Sequence, residues 1–168
     1  MAKILIPVLL VLAIAANPSD PKWPNQFTQD FTEKTTYPLI GSHTTTGTFI
    51  YDYTNGAYRV DRANGRYDRY CGLNGSKAFE DTACSHIVVD GKRYMYYPDK
   101  NECCYCCDES HGCGLVKPDW LSGATFQGET TYNGQNAYKW DQKGLQDNFY
   151  YETIDSDPAK RVMLDLNQ

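Results

Sequence analysis

Four dipeptides, Asn55-Gly56, Asn64-Gly65, Asp90-Gly91 and Asn133-Gly134, cut this chain into short segments. Asn-Gly and Asp-Gly tolerate positive φ at both centres of a tight turn, the geometry that joins two antiparallel strands without splaying them. The intervening segments are rich in Tyr, Val, Ile, Thr and Phe, residues that suit a pleated, half-buried surface. Tyr58-Arg59-Val60-Asp61-Arg62 alternates apolar with charged side chains, Tyr138-Lys139-Trp140-Asp141 repeats the pattern, and Val162-Met163-Leu164-Asp165-Leu166 closes the chain similarly. Period-two runs bury one face and wet the other. The clearest hairpin joins His86–Asp90 to Lys92–Tyr97 through Asp90-Gly91. Trp23, Phe27 and Phe31 have helical spacing, but the Thr-rich alternation around them favours a strand. Pro118-Asp119-Trp120-Leu121 predicts a short helix that Gly123 ends. The expected fold is mainly β: a curved antiparallel sheet, half-barrel or open barrel, of roughly eight to ten strands with one or two short helices and a disulfide-rich loop.

The N-terminus reads as a targeting signal. Lys3 precedes an apolar run from Ile4 to Ile14, and Ala13-Ile14-Ala15 places small residues at the cleavage positions. As a helix this run would rise only about 16 Å, too short for a bilayer core of roughly 30 Å. Residues 1–15 are therefore expected to be a signal peptide, and 16–168 a single antiparallel β domain with a Cys-rich loop at 101–117. No membrane span is expected. The destination is extracellular, with the endolysosomal lumen as the alternative.

An oxidising route sets the reading of the seven cysteines, Cys71, Cys84, Cys103, Cys104, Cys106, Cys107 and Cys113. Five crowd into residues 103–113 beside His111, a set that a zinc knuckle could use, but the spacing fits no two-plus-two pattern. Disulfides are the expectation: three bridges, with one thiol left free or joined to a second chain. Asn74-Gly75-Ser76 matches the N-glycosylation acceptor pattern, which makes Asn74 a candidate site.

With 16 Lys and Arg against 21 Asp and Glu the chain is acidic, and no basic stripe offers nucleic acid a counterion-releasing surface. It contains no Gly-x-Ser-x-Gly elbow, phosphate-cradling Gly loop or His-Glu-x-x-His motif. His43, His86 and His111 read as structural or surface residues, and Asp52 and Asp119 as solvated or turn acids. Neither catalysis nor a cofactor is expected. Because residues two apart on a strand share a face, one alternating set per strand should line a common surface. The sets are Phe49, Tyr51 and Tyr53; Tyr58 and Val60; Met95 and Tyr97; and Tyr138 and Trp140. Trp120 and Leu121 would close its mouth. Such a surface would hold a hydrophobic small molecule or fill a dry core. The alternative is a structural or adhesive extracellular protein, a homo-oligomer or filament associating through Tyr-rich surfaces, sheet edges or an intermolecular disulfide.

Certain patches also carry a family likeness: Gly47-Thr-Phe-Ile-Tyr-Asp52, Tyr58-Arg-Val-Asp-Arg62, Arg69-Tyr70-Cys71, Asp90-Gly91-Lys92-Arg93-Tyr94, the Cys cluster, Pro118-Asp119-Trp120-Leu121 and Tyr132-Asn-Gly-Gln-Asn-Ala-Tyr-Lys-Trp140. In this order they resemble the eukaryotic secreted proteins related to ependymins and to bacterial lipoprotein-localisation factors, from about residue 26 to the end. The resemblance implies a curved half-barrel whose concave face, lidded by short helices, holds a lipid or other hydrophobic molecule. It implies no catalytic residues. The run Cys103–Cys107 is denser in Cys than that pattern.

Overall fold

The structure is a computed structural model that describes residues 16–37, 41–73, 79–143 and 147–167. The expected signal peptide and Asn74 lie outside the described residues.

The protein is mainly β, with ten antiparallel strands among the described residues. The mainly β, antiparallel architecture expected from the sequence is present, divided between two open sheets, each in its own compact unit. The first unit spans Lys22–Ser122. It carries β1 (Gln26–Tyr37), β2 (Gly41–Asp52), β3 (Ala57–Arg62), β4 (Cys84–Val89), β5 (Lys92–Tyr97) and β6 (Glu102–Asp108), ordered in space as in sequence. The second unit joins Gly123–Gln168 to the N-terminal stretch ending at Pro21. Its sheet runs β10-β9-β8-β7, from β7 (Thr125–Tyr132), β8 (Gln135–Lys143), β9 (Asp147–Thr153) and β10 (Met163–Asn167). Among the described residues, no helix is long and apolar enough to cross a membrane.

Three of the four dipeptides turn hairpins. Asp90 and Gly91 have φ of 51° and 69° between β4 and β5, and Asn133 and Gly134 have 48° and 82° between β7 and β8. Gly56, with φ 68°, serves β2 and β3. Asn64-Gly65 does not follow the rule, because Gly65 lacks positive φ and opens an excursion from residue 63 to 83. Its hydrogen side faces the bridge between Cys71 and Cys84, and a Cβ there would come within 2.7 Å of both cysteine Cβ atoms.

Two further local expectations are corrected. Cys103–Cys107 forms most of β6 rather than a loop, because each of its residues except Cys106 pairs with β5. Residues 118–123 form turns, not a helix, closed by Trp120 N–H to Lys117 C=O and Ser122 N–H to Asp119 C=O. Among the described residues, helical structure amounts to a five-residue π turn at Arg69–Leu73 and three-residue 3-10 turns at Pro98–Lys100, Glu109–His111 and Pro158–Lys160.

Gly65→Ala should lower unfolding free energy by about 1–3 kcal/mol, since the added methyl overpacks the bridge. Urea denaturation of the oxidised protein measures this, and an unchanged midpoint would contradict the packing described.

Candidate functional site

Register assigns the side chains of the six-stranded sheet to two faces. Tyr51 pairs with Phe27 and Tyr58, Phe49 with Val60, Tyr58 with Val88, and His86 with Val60 and Met95. Directly opposed residues share a face, so Phe49, Tyr51, Tyr58, Val60, Met95 and Tyr97 do lie on one inward face, as the alternation required. That face is largely filled. Tyr97 is 0% exposed, Tyr51 and Leu121 1%, Met95 2% and Tyr58 8%. Phe49, Val60 and Trp120 are half-buried, and Tyr53 lies exposed beyond the end of β2. Tyr138 and Trp140 belong to the other sheet.

Around Tyr51 the rings interlock edge to face. Trp23 sits 5.5–5.8 Å from Phe27, Phe49, Tyr51 and Trp120, and the Tyr51 hydroxyl donates to the Val116 carbonyl at 2.7 Å. Burial pushes the Tyr51 pKa above the ordinary phenol value, helped by Tyr53 and Asp119. Met95 and Tyr97 belong to a separate cluster with the Cys71–Cys84 bridge, bordered by Tyr70 and Cys106. The Tyr97 hydroxyl donates to the Cys71 carbonyl at 3.1 Å.

The same face carries charges that the sequence reading left out. Arg62 continues the Tyr58–Val60 phase inward and reaches Glu33 at 2.6 Å and Asp68 at 3.4 Å. Asp68 lies 2.7 Å from His86 Nε2 and accepts the backbone N–H groups of Tyr70 and Cys71. Burial opposes charge on Asp68, but the His86 hydrogen bond and the Arg62 guanidinium outweigh it and hold the carboxyl well below its usual range. Burial lowers the His86 pKa, and the hydrogen bond to Asp68 only partly offsets this. Both shifts are met by a neutral imidazole donating from Nε2 to a carboxylate. Arg93 donates to the Tyr58 hydroxyl at 2.8 Å and stacks 4.3 Å over Tyr70.

The outward face holds a groove of about 670 Å³, lined by side chains including Asp30, Thr48, Arg59, Asp61 and Ser85. Asp30, Thr48, Asp61 and Ser85 form one cross-strand row over β1–β4. Thr48 donates to Asp30 at 2.7 Å, Arg59 pairs with Asp61 at 2.6 Å, and the Ser85 hydroxyl also donates to Asp61.

In the second unit, Trp140 is 1% exposed and its indole N–H donates to Glu152 at 3.0 Å. Arg161 Nη1 meets the same carboxylate at 2.9 Å, with both side chains 1% exposed. The guanidinium also binds the Asp155 carbonyl and the carbonyl and hydroxyl of Ser19, and lies 5.1 Å over the Tyr138 ring. Burial pushes the Glu152 pKa up against these bonds. A smaller groove, about 370 Å³, opens beside Tyr138, Phe126, Glu129 and Arg161.

The cysteines make two bridges, Cys71–Cys84 and Cys107–Cys113, not three; Cys103, Cys104 and Cys106 are thiols. Cys103 and Cys104 sit at successive positions of β6, opposite Tyr96 and Met95, so their side chains leave by opposite faces. Alternation did carry a signal for the missed charges, since Arg62 and Arg93 keep the inward phase of Val60 and Met95. Asp68 had none, because it lies in the excursion. In comparisons with known proteins, no family model and no curated protein matches this chain.

Two outcomes test these contacts. Arg161→Met strands a buried carboxylate and should cost about 3–5 kcal/mol, read from the fluorescence of Trp140, with the Glu152→Gln/Arg161→Met double variant recovering part of the loss. For His86 the folded pKa is depressed, so below the ordinary 6.5 the unfolded chain takes up a proton that the folded one resists. Stability should therefore fall as pH drops below 6.5, at no more than about 1.4 kcal/mol per pH unit for this proton. His86→Gln should flatten urea midpoints measured from pH 7 to 5. The Asp68 contribution is lost only in stronger acid, below the ordinary carboxylate value of 3.8.

Proposed function

We propose that this is a secreted, non-enzymatic binding protein whose ligand meets the outward face of the six-stranded sheet. The observation that carries the reading is the unbroken row Asp30–Thr48–Asp61–Ser85 along a groove of about 670 Å³. That volume falls within the range of small-molecule sites, roughly 300–1,000 Å³. Donors and acceptors alternate across it, Arg59 balances Asp61, and Thr48 donates to Asp30. A neutral, polyhydroxylated ligand suits such a surface, because each hydroxyl both donates and accepts and no net charge must be desolvated. Secretion is supported by the signal-like N-terminus and by the bridges, which oxidising compartments favour. The non-catalytic reading is supported by the histidines: His86 is buried on Asp68, His43 packs on Tyr67 at 4.8 Å, and His111 sits in an exposed turn with Asp108.

A second reading, a lipid or other hydrophobic ligand, draws on the rim of the aromatic cluster. Phe27, Phe49 and Trp120 are only half-buried there, and Tyr53 is 36% exposed. Such a ligand would have to part rings already in edge contact.

Amide and indole chemical shifts separate the two, with neutral oligosaccharides and oleate as probes. Saccharide-dependent shifts at Thr48, Arg59, Asp61 and Ser85, abolished in Asp61→Asn, are the expected result. Oleate-dependent shifts confined to the Trp23 and Trp120 indoles and Tyr53 would favour the second reading. No response to either probe would overturn both and return the structural or adhesive alternative.

A further inference from the structure

β6 contains one residue more than β5 can pair. Arg93 opposes Cys107 and Tyr94 opposes Tyr105, which leaves Cys106 as the extra residue of a β-bulge. A bulge sets two residues of one strand against one of its partner, so neighbours that would point apart are turned to the same side. Here those neighbours are Cys106 and Cys107, whose sulfurs lie 3.0 Å apart. Cys107 is bridged to Cys113, Cys106 is a thiol, and all three sulfurs lie within 4.8 Å of one another.

We propose that Cys106, Cys107 and Cys113 form a thiol–disulfide exchange site, in which Cys106 can take over the bridge to Cys113. The exchange needs no outside oxidant. The Cys106 thiol gives its proton to water, and its sulfur attacks the Cys113 sulfur as that side chain rotates about Cα–Cβ. The 107–113 bond breaks, the electron pair leaves on the Cys107 sulfur, and that thiolate takes a proton back. One disulfide and one thiol exist before and after.

Attack on Cys107 instead would join adjacent residues and distort the peptide between them. The two bridges that remain close loops of nearly equal length, so neither is strongly preferred by chain entropy. Arg93 faces Cys107 across the bulge, is 7% exposed, and keeps a buried Nε–H with no hydrogen-bond partner among the described residues. Its positive charge favours a departing Cys107 thiolate. Burial raises the pKa of Cys106, with Arg93 acting against it, so the attacking sulfur rests mainly as thiol. The site lies apart from the outward groove and does not depend on what that groove binds.

Bridge mapping tests this. Oxidised full-length protein is held at pH 8 without reductant, trapped with acid, unfolded, alkylated with N-ethylmaleimide and mapped by fragmentation between residues 106 and 107. The unmutated protein should contain both 107–113 and 106–113 isomers. Cys107→Ser should keep Cys113 bridged, now to Cys106, in at least half of the molecules, while Cys106→Ser should hold only the 107–113 bridge. Circular dichroism confirms that each variant retains its β structure, and Cys113→Ser, with both partners alkylated, is the control. Finding Cys106 and Cys113 both alkylated in folded Cys107→Ser would overturn the proposal. So would an unmutated protein with all three alkylated and one zinc bound per chain.

Discussion

The bridge between Cys71 and Cys84 organises the inward face of the six-stranded sheet. It ties the long excursion after β3 to the start of β4, with Gly65 so close to both cysteine Cβ atoms that a side chain there would collide with them. The excursion is thereby held where Asp68 reaches His86 and Arg62, and where the Cys71 carbonyl receives the Tyr97 hydroxyl. An entropic constraint on the unfolded chain thus brings a carboxylate from outside the strands, Asp68, against Arg62 and His86.

Charge inside this sheet is tolerated because it is shared. Asp68 accepts two backbone N–H groups besides the imidazole, and Arg62 divides itself between Glu33 and Asp68. A buried pair of this kind contributes little over an apolar substitute, but losing one member is expensive. The same logic recurs in the second unit, where Arg161 answers Glu152 and two carbonyls, with a ring beneath it. Each unit has a hydrogen-bonded polar centre within an aromatic surround.

Much of this architecture was legible in the sequence. Asp90-Gly91 and Asn133-Gly134 announced their hairpins, since positive φ at both centres leaves few other residues eligible. Alternation placed Tyr51, Tyr58, Met95 and Tyr97 on one face. What could not be read is long-range. Nothing local in Tyr138 or Trp140 says that their strand joins a different sheet from Phe49. Asn64-Gly65 carries the same turn chemistry as its siblings, yet Gly65 serves close approach instead. Five crowded cysteines looked like a stapled loop, because a strand with one bulge is invisible until its partner is known. Asp68 became a site residue only through the bridge beside it.

The discontinuity of the second unit bears on how the chain matures. Ser19 and Arg161 meet across 142 residues, with the whole six-stranded unit between them. At a synthesis rate of about 5–20 residues per second, roughly 7–30 s separate the appearance of the two partners. The six-stranded unit is built from neighbouring hairpins and can close during that interval, whereas the leading stretch must wait with its carbonyls open to water. Vectorial synthesis therefore favours an inserted unit that folds as a guest before its host is complete.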